Sequence, residues 1–153
     1  MIAFRRAEPA DLPAIIALLA DDDLGRTREA PELPLLPAYT DAFAAIQRDP
    51  NQVLAVATAD GEVVGTLQLT FIPGLSHQGA LRAEIEAVRI ARARRGQAIG
   101  RRMLEWAVAE CRARGCGMIQ LTTNKARTEA HRFYAGLGFQ PSHIGFKLSL
   151  VPR

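Results

Sequence analysis

The sequence RAEIEAVRIARARRGQAIGRRMLEWAVAEC, residues 82–111, decides the fold because it holds a strand, a basic turn and an amphipathic helix in succession. Residues 82–90 alternate in polarity as a β-strand does, and the following turn contains Gly96. Apolar residues then recur at helical spacing, at Ile99, Met103, Trp106, Ala107 and Cys111. A strand followed directly by a helix indicates an α/β protein, in which turn N–H groups and the helix dipole converge where a phosphate can bind.

The strand pattern changes phase near its end. Glu84 and Glu86 fall on one face, but after Ala87 the apolar positions become Val88 and Ile90. One extra residue in the strand produces such a change, so the sequence predicts a β-bulge here.

The flanking segments supply the other elements. We expect a strand at residues 2–7, a helix after Pro9, a loop over residues 23–37, a helix at 38–48, a hairpin closed by Asp60-Gly61, a strand at 118–123, a helix from Thr128 to Gly138 and a last strand at 144–150. This order predicts an α/β fold whose mixed, mostly antiparallel central sheet has about six to seven strands and about four flanking helices.

Composition indicates one domain, residues 1–153, with 48% apolar and 23% charged residues. No apolar run approaches the roughly 18 residues of a membrane span, and Arg5, Arg6 and Glu8 interrupt any signal peptide. We expect a cytoplasmic protein that does not contact a membrane.

Two further features, the cysteines and a cluster of arginines, do not by themselves indicate a function. Cys111 and Cys116 form no CxxC pair and have no histidine at metal-ligand spacing, so no metal site is predicted. Six arginines crowd residues 89–102, which fits either a polyanion site or a solvated helix face. Neither a GK[ST] P-loop nor GxGxxG is present.

Two motifs give these observations a common interpretation. Val88-Arg89-Ile90 followed by RRGQAIGRRML resembles the coenzyme A pyrophosphate loop of the GNAT superfamily of N-acetyltransferases. AHRFYAGLGF, residues 130–139, resembles the C-terminal helix motif of that superfamily, about thirty residues downstream. The similarity covers nearly the whole chain.

The resemblance implies acetyl-CoA as the acyl donor and a sheet splayed at its fourth strand. Backbone groups of residues 88–90 would contact the cofactor, and the loop would hold its pyrophosphate; these candidates are Val88, Arg89, Ile90, Arg95, Gly96, Gln97, Ala98, Ile99, Gly100 and Arg101. Ala98 departs from the pattern, since relatives usually carry glycine there, and its methyl group could either crowd the pyrophosphate or require a φ angle that alanine tolerates less readily than glycine.

The same resemblance implies the catalytic groups. Glu84 matches the general base of some relatives, with Glu86 as the alternative, and Tyr134 matches the tyrosine that protonates the departing thiolate and lies near the coenzyme sulfur. Either glutamate could instead face solvent or pair with Arg82, and Tyr134 could instead pack in the core. No activated cysteine or serine is evident, which favours direct attack by the amine.

The acceptor is predicted to be a small-molecule amine. The stretch NKARTEAHRFY resembles aminoalkylphosphonate N-acetyltransferases most, and it holds the candidate substrate-binding residues Asn124 and Arg127. One alternative is a non-catalytic acetyl-CoA sensor of the same fold. A nucleic-acid-binding module is the other, but no recognition motif supports a nucleic-acid partner. A homodimer is possible.

Overall fold

The computed structural model describes residues 1–152, which fall into two compact units, Met1–Gln120 and the residues from Leu121 onward. The described strands are β1 Ile2–Arg6, β2 Gln52–Ala59, β3 Glu62–Ile72, β4 Arg82–Ile90 and β5 Met118–Leu121. The described helices are α1 Leu12–Ala20, α2 Pro37–Arg48, α3 Ser76–Gly79, α4 Ile99–Ala113 and α5 Thr128–Gly136.

The sheet has the order β1-β2-β3-β4-β5, and the pairs β1–β2, β2–β3 and β3–β4 are antiparallel. Asp60 and Gly61, with φ angles of 52° and 83°, close the β2–β3 hairpin as predicted. Helix α4 then connects β4 to β5, which is how parallel strands are joined, so the sheet is mixed.

Helices cover both faces of the sheet. On one face, Ile15 and Ile16 of α1 and Phe43 of α2 pack in a buried cluster with Val56 of β2. On the other face, α4 contacts β1, β3 and β4 and buries a continuous stripe, namely Ile99, Met103, Leu104, Ala107 and Cys111. We call these the α1/α2 face and the α4 face.

The predicted strand count was wrong. The structure has a five-stranded sheet, and the described residues at 144–150 belong to no strand. Alternating polarity shows that a segment has two unlike sides, but a strand also needs a neighbour to hydrogen-bond with. The helix prediction was close, since four helices have nine or more residues and α3 is a single turn in which His77 and Gln78 have left-handed backbone angles.

Candidate functional site

The predicted bulge in β4 is confirmed by the pairing with β3. Gln68 is opposite Glu86, whereas Thr66 is opposite Arg89, so three steps along β4 match two steps along β3. The extra residue follows Glu86, and Ala87 takes a left-handed φ of 54°. A bulge of this kind leaves main-chain groups outside the regular ladder.

After the bulge β4 approaches β3 closely. A Cβ atom on Gly65 would lie 2.8 Å from Cδ1 of Ile90 and 3.2 Å from the carbonyl oxygen of Arg89. Glycine at position 65 therefore permits the pairing that holds Val88 and Ile90 on the α4 face, opposite to the two glutamates.

Glu84 and Glu86 lie together on the α1/α2 face but in different environments. Glu84 is half-buried, and its Oε2 accepts a hydrogen bond from Nε2 of Gln120 at 3.5 Å, whereas Glu86 is exposed. Within residues 1–152 neither carboxylate forms an ion pair, including with Arg82. Glu84 thus has the drier environment that favours proton transfer.

A strip of polar side chains extends from these glutamates across the sheet. Oε1 of Gln52 accepts hydrogen bonds from Nε2 of Gln68 at 2.8 Å and from Oγ1 of Thr70 at 3.0 Å. Thr70 is opposite Glu84, and Gln68 is opposite Glu86. The strip was not predictable from the sequence, because its members come from three strands and only the strand register brings them to one face.

The loop before α4 is open to solvent. Residues 95–98 are all exposed, and Gly96, with φ 78°, has empty space where a side chain would begin. Ala98 is the N-cap of α4 but has no capping side chain, and the helix ladder begins with Arg102 N–H donating to the Ala98 carbonyl at 3.1 Å. Earlier N–H groups of this first turn point toward any anion placed there. The side chain of Ile99 is buried, so Ile99 offers its main chain alone.

The arginine cluster is largely neutralised by contacts from elsewhere in the chain. Its pairs are Arg89 with Asp22 at 2.9 Å, Arg92 with Asp21 at 3.4 Å, Arg94 with Asp60 at 3.9 Å and Arg101 with Glu105 at 4.0 Å, while Arg102 lies over the Phe4 ring. Within residues 1–152, Arg95 is the neighbouring arginine that has neither a carboxylate nor a ring partner. Most of the cluster is therefore paired, and within residues 1–152 Arg95 is the exposed arginine of the cluster that remains.

Asp22 connects the loop after α1 to the bulged strand. One carboxylate oxygen lies 2.9 Å from Nε of Arg89, and the other accepts the Gly25 N–H. Gly25 cannot be replaced in this turn, because a Cβ would lie 1.8 Å from the carbonyl oxygen of Leu19. The guanidinium of Arg89 also donates to the Val88 carbonyl at 2.9 Å. Its side chain is thus committed to structure.

The second unit carries the remaining candidates. The Asn124 side chain accepts the Ala126 N–H at 2.9 Å, closing the turn before α5, and Arg127 is the exposed N-cap residue of that helix. Tyr134 is half-buried, with its ring edge-on to Phe133 at 5.2 Å and to Phe139 at 5.9 Å. Two phenylalanine rings therefore fix the direction of the tyrosine ring.

Within the described residues, neither Cys111 nor any cluster of metal ligands gives a competing site. Burial raises the pKa of the Cys111 thiol to about 12, so it stays protonated and is no nucleophile at neutral pH. Across residues 1–152 no cluster of three or more possible metal ligands occurs. No helix in that same range has the length and apolar character to cross a membrane.

Comparisons with known proteins identify the family of the chain. The model of the acetyltransferase (GNAT) family matches residues 16–139. The chain is 39% identical over 113 residues to the aminoalkylphosphonate N-acetyltransferase of Salmonella typhimurium, covering 74% of this chain and 73% of the relative. It is similar in structure to a transcriptional regulator from Bacillus halodurans C-125, with 47% identity, 98% and 100% coverage and a TM-score of 0.96.

A putative acetyltransferase from Agrobacterium tumefaciens is also similar, with 30% identity, a TM-score of 0.85 and 96% and 99% coverage. Both the family match and the curated relative span the bulged strand, the loop and α4. The chain belongs to the acetyltransferase (GNAT) family and is an acyltransferase.

Proposed function

We propose that this enzyme transfers the acetyl group of acetyl-CoA directly to the amine of a small molecule. The observation that carries the proposal is the sequence of three features along the chain: the bulge at Ala87, the exposed loop at residues 95–98 and the uncapped start of α4. Together they offer a row of main-chain donors and acceptors that ends at a site for an anion.

Each part of the donor has a matching part of the chain. The pyrophosphate is bound by the N–H groups of Gly96 and of the first turn of α4, Ile99, Gly100 and Arg101, with charge from Arg95. Gln97 and Ala98 shape the loop between them. The pantetheine chain hydrogen-bonds to the main chain of residues 88–90, where we propose that β4 and β5 diverge after the bulge.

The family match also supports one catalytic domain. It runs from residue 16 to residue 139 and so includes parts of both compact units. We propose that residues 1–153 act together as a single acetyltransferase domain.

Acetyl-CoA supplies an acetyl group activated as a thioester. Glu84 takes the proton that the amine loses, directly or through water, and Glu86 is the alternative base. The Val88 N–H donates to the oxygen that gains negative charge. Tyr134 donates a proton to the departing thiolate, which a phenol with a pKa of about 10 in water is able to do. The protonated state of Cys111 supports this direct transfer without an acyl-enzyme.

The acceptor we propose is an amine with an anionic group in the same molecule. Arg127 has an exposed guanidinium that forms no ion pair within residues 1–152, and a guanidinium binds phosphonate or carboxylate in a bidentate manner. The amide NH2 of Asn124 can donate a further hydrogen bond, because only its oxygen is used in the turn. The two glutamates supply the negative charge that suits an ammonium group, and the Salmonella relative acts on aminoalkylphosphonates.

Cofactor binding is tested most simply at Gly100. Gly100→Glu should weaken acetyl-CoA binding by more than about tenfold, because its carboxylate repels the phosphates at the start of α4. Isothermal titration calorimetry measures this affinity directly. Gly74→Glu is the matched control, since it adds the same charge in an open loop and should bind as wild type does. A folded Gly100→Glu variant with wild-type affinity would refute the loop assignment.

A further inference from the structure

The main chain of β4 beyond the bulge has an edge that faces away from β3. The Ala91 N–H donates to the Val64 carbonyl of β3 at 2.8 Å. Successive residues of a strand point their N–H and C=O groups to opposite edges, so the groups of Val88 and Ile90 point away from β3. The proposed function, on which the next step rests, puts the thioester and its pantetheine chain at this edge.

One hydrogen bond at this edge comes from a side chain. The guanidinium of Arg89 donates to the carbonyl oxygen of Val88 at 2.9 Å. Val88 directly follows Ala87, whose left-handed φ of 54° is costly for a residue with a Cβ. Such a backbone persists only where the surrounding structure holds it. Arg89 supplies a holding contact at the residue whose N–H serves as the oxyanion donor in the proposed function.

Asp22 holds Arg89 in place from the loop after α1. Its Oδ2 lies 2.9 Å from Nε of Arg89, and its Oδ1 accepts the Gly25 N–H. The side chains of Arg89 and Asp22 are only 11% and 18% exposed, so water screens their attraction weakly. A chain of contacts thus runs from Gly25 through Asp22 and Arg89 to the Val88 carbonyl.

The neighbouring ion pair, Asp21 with Arg92, lies at the same end of α1 but is open to water. Its atoms are 3.4 Å apart, and the side chains of Arg92 and Asp21 are 60% and 46% exposed. Exposed pairs of this kind contribute little to structure. Two adjacent aspartates therefore form one buried and one solvated pair, and they offer a matched comparison.

We propose that Asp22 is a positioning residue for acetyl transfer, which acts through Arg89 on the main chain of Val88. The charge of Asp22 fixes the guanidinium, and the guanidinium fixes the Val88 carbonyl. The N–H of the same residue then keeps its direction toward the thioester oxygen. Neither side chain touches the substrate. The same contacts tie the start of the loop at residues 23–37 to the catalytic strand.

Backbone NMR of the free protein tests the positioning without any substrate. In Asp22→Asn the side-chain oxygen can still accept the Gly25 N–H, but the NH2 group meets the Arg89 guanidinium donor to donor. The amide signals of residues 87–90 should shift and broaden in this variant and should stay as in wild type in Asp21→Asn. Unchanged signals in Asp22→Asn, or equal changes in both variants, would overturn the proposal.

Steady-state kinetics with acetyl-CoA and 2-aminoethylphosphonate measure the consequence for catalysis, at a temperature where each variant is folded. Asp22→Asn should lower kcat at least about tenfold, because a misdirected donor stabilises the transition state poorly. The Kd of acetyl-CoA, measured by calorimetry, should change by less than about threefold, since the pyrophosphate loop is untouched. Asp21→Asn should keep kcat within about twofold of wild type.

A second variant, Arg89→Lys, decides the question if Asp22→Asn does not fold. Lysine keeps the positive charge beside Asp22 but lacks the planar fork that also reaches the Val88 carbonyl, so kcat should again fall at least about tenfold. Wild-type kcat in either folded variant, or an equal loss in Asp21→Asn, would overturn the positioning role. A wild type that acetylates no amine would refute the proposed function, and the NMR comparison would still decide the positioning.

Discussion

Ala98 is the residue whose backbone is at odds with its side chain. Its φ of 59° lies in the left-handed region, which costs a residue with a Cβ about 1–2 kcal/mol. We predict that Ala98→Gly raises the free energy of unfolding by about 1 kcal/mol, since glycine adopts this conformation freely. Chemical denaturation measures the change.

The control for Ala98 is an alanine in ordinary helical geometry. Ala109 is exposed in the middle of α4, so Ala109→Gly should lower stability by about 1 kcal/mol. The same substitution of alanine by glycine is thus expected to raise the free energy of unfolding at position 98 and to lower it at position 109. Equal destabilisation at both would mean that position 98 is not strained.

The two glutamates of β4 are separated by a comparison of conservative variants. Glu84→Gln should lower kcat/KM by about 100-fold or more, because the amide cannot accept the proton of the amine. Glu86→Gln should lower kcat/KM by less than about tenfold, because Glu86 is exposed and its carboxylate is better hydrated than that of Glu84. Steady-state kinetics at matched acetyl-CoA saturation provide the comparison. A larger loss in Glu86→Gln would assign the base to Glu86.

At the scale of elements, the junction between β1 and α1 depends on a partly buried ion pair. Arg5 holds Asp11 through two hydrogen bonds, at 2.6 and 3.0 Å, and the Glu8 N–H donates to the same carboxylate at 2.7 Å. The Arg5 hydrogen bonds are the largest cause that lowers the pKa of Asp11 below its usual value. The ionised form therefore stabilises the fold.

This lowered pKa gives stability a definite pH dependence. The contribution of Asp11 is complete above its unfolded-state pKa of about 3.9 and is lost as the pH falls through the lower folded value. Asp11→Asn should cost about 1–3 kcal/mol at neutral pH, and the gap to wild type should narrow below about pH 4. Thermal melts across this range test the prediction, with Asp41→Asn on the exposed side of α2 as the control. A gap that is constant with pH would contradict it.

Elements with a local signal were predictable from the sequence. Asp60-Gly61 marks a hairpin by its own turn chemistry, α4 shows its apolar stripe within 15 residues, and the phase change after Ala87 marks the bulge. The pairing of Asp22 with Arg89 was not predictable, because it joins residues far apart in sequence. For the same reason, the alternation at residues 144–150 predicted a strand that has no neighbour in the described chain.

At the scale of the whole molecule, the fold pairs charged groups that appear as an unpaired basic cluster in the sequence. The sequence places the arginines of residues 89–102 in one cluster, but the acidic partners come from the α1 end, the hairpin turn and α4 itself. Most arginines of this cluster are thus paired with carboxylates, and the net charge of +3 does not correspond to a free basic surface for polyanions. Within the loop at residues 23–37, the Ala30 N–H donates a hydrogen bond to the Tyr39 hydroxyl at 2.9 Å and so anchors the loop to α2.

The most direct test of acetyl transfer is turnover with a matched pair of amines. We would follow release of free thiol from acetyl-CoA with 2-aminoethylphosphonate and with spermine, and confirm the N-acetyl product by mass spectrometry. The account predicts one acetylated amine for each thiol released, with kcat/KM at least about tenfold higher for the aminophosphonate, because Arg127 binds its anionic group. Preference for spermine would contradict the acceptor class. Tight binding of acetyl-CoA without turnover of any amine would contradict the central claim and would indicate a regulatory protein.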